Sequence, residues 1–443
     1  MPKIQLHKGQ SQILRDLFVK KRIRHAVAVC SRGWGKTYLG ASAAIVAVKE
    51  LIKLSANVPD KNVFIVAPTF EQVTDIYYPV IGYDFNMEKK AIKASRSRGR
   101  FVFKNNVELR LVSYESVERL RGKGGYFFVN DEAASWQKGV GLKEAWEGII
   151  EPCISTRWSP MRARQKGSPN CGRSLTIGTP KGYDYFYDMY NKPEEDSLWG
   201  GYHFDYTKSP FIDPEEIERI RHTISPMDFN REYKASFEES GARVFYCFDR
   251  KIHVNKELPY FDDKEIVHVN IDFNVNLQCS SMFAIRNNHV HILDEAQKLP
   301  NTEQLAIYLV NKFPGKEIRA YPDPTGNSKK TSAPVGSTDF TILRNHGIKV
   351  FARSSSPSIV NSVASVNAKL MTAAGETSLY VHPRCRGTVE SLEKTKWVES
   401  NPNLAVIDKS ESIEHFSDGI RYGIEYLFPV RLGNKKTSRG FNF

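Results

Sequence analysis

Residues 30–37 read CSRGWGKT, directly after the apolar run AVAVC (26–30) and directly before the helix-forming stretch YLGASAAIVAVKELI (38–52). A strand, a glycine-rich turn and a helix in that order make a phosphate cradle, because backbone N–H groups at a helix N-terminus face the anion. In such a loop the N–H groups of Ser31, Arg32, Gly33, Trp34 and Gly35 line the phosphates of ATP, Lys36 reaches the outer ones, and the Thr37 hydroxyl ligates Mg²⁺. The stretch departs from GxxxxGK[ST] at one place: Cys30 stands where the first Gly belongs. Taken alone, it is open to a second reading as a coincidental Gly-Lys-Thr turn.

Working outward, residues 126–132 read YFFVNDE, an apolar strand ending in two carboxylates. A P-loop ATPase needs such a strand to bring one acid to the metal and another to the attacking water. Asp131 is assigned to the metal and Glu132 to the general base; the alternative is that both acids cap the following helix. Further apolar runs at 63–67 and 174–177, with helical patterns between several of them, give the βα alternation of a parallel sheet. Residues 101–113, FVFKNNVELRLVS, read as a hairpin turning at Asn105 and Asn106, and 162–173 as an exposed basic loop.

At 443 residues the chain exceeds what one hydrophobic core usually supports, so two domains are expected. Short charged helices fill 210–239, and Ser240-Gly241 punctuates the chain before a new apolar run. The division expected is a P-loop ATPase domain (1–205), a helical linker (206–243), a second α/β domain (244–430) and a basic tail (431–443). In the second domain, IVHVNIDFN, SMFAIRN and HVHILDEAQ follow one another closely, and strand candidates at 319–321 and 348–351 then alternate with helical patterns. An antiparallel meander followed by α/β alternation is the order of an RNase H-like sheet.

Three acids stand out there. Asp272 interrupts an apolar strand, Asp323 ends the apolar RAYPDP, and Asp418 lies in the helical pattern HFSDGIRYGIEYLF. A charge in such surroundings is costly unless a cation offsets it. Two-metal nucleases gather carboxylates from several strands around Mg²⁺ or Mn²⁺, which take hard oxygen ligands. For any one of these residues a turn or cap is the competing reading. Glu295 in HILDEA and Asp408 in AVIDKS are weaker candidates, and His415 shares a helical face with Asp418, as a substrate contact or as a packing residue.

The order of these pieces resembles the large terminase subunits of tailed bacteriophages, over about residues 6–427. In that family the P-loop is often deviant, with an Arg just after its start, as in SRGWGKT, and an LRG precedes the acidic strand, as in LRGKGGYFFVNDEA. The resemblance implies that Arg32 contacts the γ-phosphate and that Arg121 is a finger reaching a neighbouring subunit's ATP, where the bland reading is a solvated loop. It implies a coupling role for Thr179 in SLTIGTP (174–180), an adenine contact for Gln10 in LHKGQSQIL, and an ATPase–nuclease linker in FNREYKASFEESGARVF (229–245). Asp272, Asp323 and Asp418 match, in order, the acids of the family's RNase H-like nuclease. The implied fold class is therefore α/β, a RecA-like P-loop NTPase sheet followed by an RNase H-like nuclease domain. The implied partners are double-stranded DNA, a portal and procapsid, a small terminase subunit, and further copies of the chain in a homo-pentamer on the portal.

The bulk properties agree with a polyanionic partner: 63 Lys and Arg against 50 Asp and Glu give a formal charge of +13. The six cysteines are scattered, with no CxxC pair, which argues against a disulfide framework or a zinc site. No apolar stretch approaches the length of about 20 residues that spans a bilayer, and MPKIQLHKGQ carries no apolar signal core, so a soluble, unexported protein of the infected host's cytoplasm is expected. Two rivals remain: a repair helicase with an accessory nuclease, which would need a second RecA-like core after residue 240, and a DNA-binding scaffold whose sites have decayed.

Overall fold

A computed structural model of the chain describes residues 5–136, 141–237, 241–273, 278–327, 338–398, 406–410 and 412–430; the basic tail expected at 431–443 lies outside them. Two compact units emerge, one made of 1–214 with 230–239 and the other of 215–229 with 240–443.

The first unit is built on an eight-stranded sheet. Its strands are β1 (His25–Cys30), β2 (Asn62–Ala67), β3 (Lys93–Ser95), β4 (Arg100–Phe103), β5 (Val107–Ser113), β6 (Phe127–Asn130), β7 (Arg173–Gly178) and β8 (Trp199–Phe204), in the order β3-β4-β5-β2-β6-β7-β1-β8. From β5 to β8 every pairing is parallel, and β3 and β4 add an antiparallel edge. Parallel strands are covered on both faces and so read as continuous apolar runs; every residue of β1, β6 and β7 is buried. The β4–β5 hairpin turns at Asn105 and Asn106, both left-handed as a tight turn requires. The edge strand β8, WGGYHF, is not legible in the sequence, because its Gly pair breaks any apolar run and only every other residue turns inward.

The expectation of an exposed loop over 162–173 is corrected. Ser159 caps a short helix, Pro160–Gln165, and Ser168, Asn170 and Arg173 are buried. Arg173 pairs with Glu50 at 3.6 Å and Asn170 Nδ2 donates to the same carboxylate at 2.9 Å, so the end of the segment is drawn inward by one acid on the helix Lys36–Ile52, while Arg162 and Arg164 stay exposed as expected.

At the start of β1, His25 sits between the rings of Trp146 and Trp199 and its Nδ1 lies 2.9 Å from Ser174 Oγ. Burial, reinforced by Arg24 and Lys192, pushes this imidazole down to about 3. The unfolded chain takes up a proton near pH 6.5 that the folded chain refuses. The stability this represents is complete above that pH and is lost as the pH falls, at about 1.4 kcal/mol per unit, or about 2 kcal/mol by pH 5. In thermal unfolding at pH 7 and pH 5, His25→Asn is expected to flatten the acid loss of the first unit; an unchanged loss in the variant refutes the account.

The second unit carries a six-stranded sheet of β9 (Val267–Asp272), β10 (Gln278–Arg286), β11 (His289–Leu299), β12 (Ile318–Pro322), β13 (Lys349–Val350) and β14 (Leu379–Val381), in the order β13-β12-β9-β10-β11-β14. The first three form an antiparallel meander, and β12 and β13 join it in parallel, which is the RNase H-like arrangement. The three-residue β14 adds a parallel edge to β11 and is too short to leave a pattern in the sequence. The helix His415–Leu427 lies on β9: a Cβ on Gly419 would touch Asp272 N at 3.4 Å, and one on Gly423 would overlap Asn270 Oδ1 at 1.8 Å.

Residues 215–229 belong to this unit through two backbone bonds, Ala373 N to Ile224 O (2.7 Å) and Ala374 N to Arg221 O (3.0 Å). Residues 230–239 return to the first unit, where Phe237 packs on Tyr187 and Tyr206 N donates to Tyr233 O. All six cysteines are free thiols. Among the described residues no helix is long and apolar enough to cross a membrane.

Candidate functional site

The phosphate loop leaves β1 and enters the helix Lys36–Ile52 with Gly33 at φ 74° and Gly35 at φ 98°, a left-handed backbone that L side chains rarely adopt. Gly35 is doubly constrained, since a Cβ there would lie 2.7 Å from Gln10 Nε2. Gln10 Nε2 donates to Gly35 O at 2.9 Å and Gln10 Oε1 accepts from His7 N at 3.2 Å. Its amide thus clamps the loop, a role the adenine-side reading does not contain. Trp34 is also inward: its ring stacks on Phe204 with centroids 4.6 Å apart, leaving its backbone as its contribution to the loop.

Lys36 Nζ donates to Thr179 Oγ1 at 2.9 Å and to Ser31 O at 3.2 Å, and lies 3.7 Å from Glu132 Oε1. Thr179 Oγ1 in turn donates to Cys30 O at 3.2 Å, so the turn after β7 is tied to the loop after β1. Glu132 directly follows Asp131 at the end of β6, with a left-handed backbone of φ 50° that an ordinary residue holds only at a cost. Asp131 is buried and its Oδ1 has no hydrogen-bond partner. Burial first, and the neighbouring Glu132 second, push its carboxyl up from the ordinary range, while Lys36 opposes them. A buried carboxylate oxygen without a donor beside a phosphate loop fits a divalent cation, which restores the charged form that burial disfavours. Thr37 stands next to Lys36 in the first turn of the same helix.

Of the two arginines, Arg32 is held on the segment 230–239: its N donates to Glu232 O at 2.7 Å and its guanidinium lies 3.8 Å from Glu232 Oε2. The sequence offers no signal for Glu232, whose contact spans 200 positions of chain. Arg121 is exposed and engaged by Glu118 at 2.5 Å and by Gly148 O at 2.9 Å.

In the second unit, topology gathers the acids. Asp272 ends β9, and Asp323 follows Pro322, which is paired with Ile271 in parallel register, so the two acids reach the same end of adjacent strands, about 4.8 Å apart in backbone spacing. Asp418 precedes Gly419 at the point where the helix meets Asp272. Their present partners differ. Asp323 accepts from Tyr422 Oη (3.0 Å), Thr325 N (2.9 Å) and Ser356 Oγ (3.2 Å). Asp418 is bound by Lys409 at 2.9 Å and Arg421 at 2.5 Å. Asp272 Oδ2 lies 3.3 Å from His415 Nδ1, so His415 joins the acids rather than merely packing.

The weaker candidates go elsewhere. Both oxygens of Glu295 accept backbone N–H bonds from Gly387 and Thr388, each at 2.9 Å, at the start of the helix Arg386–Lys394. Asp408 is exposed and accepts from Ser410 N in a turn. Among the described residues no three His, Cys, Asp or Glu side chains stand close enough to hold a metal ion as they are. The donor chemistry nevertheless suits a hard divalent cation: carboxylate oxygens predominate, and Glu414, which the sequence does not single out, is buried with Oε2 lacking a hydrogen-bond partner.

A second feature of the first unit is a cleft of about 320 Å³ between the β4–β5 hairpin and residues 113–123. Arg98, Arg100, Arg110, Arg119 and Lys123 line it, and Glu108 pairs with Arg100 and Arg110.

Comparison with known proteins places these features in a wider group. The profile of the family described as terminase large subunit, T4likevirus-type, N-terminal, matches residues 27–252. The large terminase subunit of Escherichia phage T5 is 22% identical over 422 residues, covering 91% of this chain and 86% of its own. Among solved structures, the large terminase of a thermophilic bacteriophage in complex with ATP-gamma-S is similar with a TM-score of 0.56 at 15% identity, over 96% of this chain and 99% of that one. The same protein in complex with ADP gives 0.54 at 14% identity, over 95% and 99%.

Proposed function

From the premise that the chain belongs to the large terminase subunits of the T4likevirus type, we propose that it is a viral DNA-packaging motor that hydrolyses ATP to drive double-stranded DNA into a procapsid and cuts concatemeric DNA with a metal-dependent nuclease. One observation carries the motor half: Lys36 Nζ is held among Ser31 O, Thr179 Oγ1 and Glu132 at the mouth of a left-handed glycine loop, with the buried Asp131 alongside. In this reading the loop amides of Gly33, Trp34 and Gly35 cradle the phosphates of ATP, those of Ser31 and Arg32 being engaged by Phe204 O and Glu232 O. Lys36 exchanges Thr179 for phosphate oxygens, Asp131 and Thr37 hold Mg²⁺, and Glu132 takes the proton of the attacking water. Arg32 and Arg121 supply positive charge where the transferring phosphoryl group needs it, the latter towards a neighbouring subunit. Thr179 joins the nucleotide to the turn after β7, and Gln10 keeps the loop in shape. The thermophilic phage's terminase, crystallised with ADP and with ATP-gamma-S, supports nucleotide binding by this fold.

The nuclease half rests on Asp272, Asp323 and Asp418. Bound there, Mg²⁺ or Mn²⁺ would stabilise the attacking and leaving oxygens of the phosphodiester. Asp272 and Asp323 offer carboxylates from neighbouring strand ends, Asp418 offers one from the helix, and Lys409 and His415 compensate negative charge around them. The division we adopt is ATPase 1–205, linker 206–243, nuclease 244–430 and tail 431–443, acting in the host cytoplasm as a homo-pentamer on the portal with a small terminase subunit. Procapsids, portal, ATP and duplex DNA test the whole reading: DNA should become resistant to added nuclease only when ATP is hydrolysed. Absence of protection together with absence of both basal activities favours the inert scaffold.

A translocase must tolerate any sequence, so it grips phosphates. The cleft, where Arg98, Arg119 and Lys123 stand beside the Glu108-paired Arg100 and Arg110, is a surface of the first unit suited to that. Arg98→Ala combined with Arg119→Ala is expected to weaken duplex binding uniformly across sequences and to reduce the slope of log affinity against log salt by about 1 for each phosphate the variant no longer neutralises. An unchanged slope in a salt-titrated binding assay removes the cleft from the DNA path.

A further inference from the structure

We infer that Glu414 is a fourth carboxylate of the nuclease site, its Oε2 ligating a divalent cation beside Asp272; the inference rests on the nuclease reading of the second unit. Glu414 is the residue before the helix His415–Leu427, and its carbonyl accepts from Asp418 N at 2.7 Å, so it stands one turn before Asp418. It is 2% exposed, and its Oε2 has no hydrogen-bond partner. A carboxylate shut away from water with an oxygen unsatisfied is costly, and proteins keep such groups where an ion or a proton completes them.

The surroundings say which way the group points. Glu414 Oε1 lies 3.9 Å from His415 Nδ1, the atom that is 3.3 Å from Asp272 Oδ2. One ring nitrogen of His415 is thus within reach of both Glu414 and Asp272. Of the acids that the sequence suggests for a fourth place, Glu295 spends both oxygens on backbone N–H groups, and Asp408 is exposed with Oδ1 accepting from Ser410 N. Glu414 does not.

The test is Mn²⁺ binding to the full-length protein without nucleotide, followed by electron paramagnetic resonance, for wild type, Glu414→Gln and Asp272→Asn. Glu414→Gln is expected to weaken Mn²⁺ at least about tenfold, as loss of an oxygen ligand would, while its melting temperature in EDTA stays at or above that of the wild type. Wild-type affinity in Glu414→Gln with loss in Asp272→Asn overturns the inference and spares the nuclease reading. Wild-type affinity in both overturns both. Should Glu414→Gln not fold, the wild type soaked with Mn²⁺ decides by anomalous diffraction: Oε2 at the inner-sphere distance of about 2.1 Å supports the assignment, and Oε2 beyond reach of the ion refutes it.

Discussion

Glu132→Gln is expected to slow ATP hydrolysis by about 100- to 10,000-fold, the range a positioned general base contributes, while ATP binding changes only a few-fold and plasmid cleavage is untouched. The amide keeps the size of the carboxylate and can adopt the same left-handed backbone, so the loop geometry should survive. What it cannot do is accept the proton of the attacking water. Lys36 also loses an acidic neighbour at 3.7 Å, but keeps Ser31 O and Thr179, so its position for phosphate is preserved. Steady-state hydrolysis and nucleotide binding measured side by side separate the two effects. A loss of hydrolysis smaller than about tenfold would remove Glu132 from the chemistry.

Asp272→Asn should do the reverse. Metal charge is worth several kcal/mol at a phosphoryl transition state, and about 1.4 kcal/mol is a factor of ten, so plasmid nicking in Mn²⁺ should fall at least about 100-fold. Hydrolysis of ATP should stay at the wild-type rate, because every residue assigned to it belongs to the other compact unit. The substitution removes one charge from a site where His415 stands 3.3 Å away and leaves the paired strands β9 and β10 intact. Retained nicking in the variant, in a preparation free of contaminating nuclease, would falsify the placement of the cleavage site.

How much of this is legible in the chain depends on how local each feature is. The phosphate loop, β6 with its two acids and the β4–β5 turn are encoded in a few consecutive residues, and both sheets follow from apolar runs spaced by helical patterns. Asp272, Asp323 and Asp418 can be named from the sequence but not joined: what joins them is the register of β12 on β9 and the close seat of Gly423 on Asn270. Gln10 shows the limit from the other side. Its amide meets Gly35 across 25 positions, a contact that no spacing rule suggests. Glu232 and Glu414 escape notice for the same reason, since an acid in a charged stretch looks solvated until the fold reveals what it faces. The strands β8 and β14 are hidden because two glycines and a length of three residues leave no period to detect.

The chain passes between its two compact units three times, at 214/215, 229/230 and 239/240. Neither unit is therefore a single continuous stretch of sequence. A protease that nicks once inside 215–229 yields two fragments, each still rooted in both bodies, and they should migrate as one particle until denatured. No single truncation point yields both halves whole: an ATPase fragment stopped at 214 forfeits Phe237 and the Glu232 hold on Arg32, and a nuclease fragment begun at 240 forfeits the bonds from Ala373 and Ala374. Severing the halves cleanly would require excising 215–229 from one and grafting it to the other, a circular rearrangement rather than a cut.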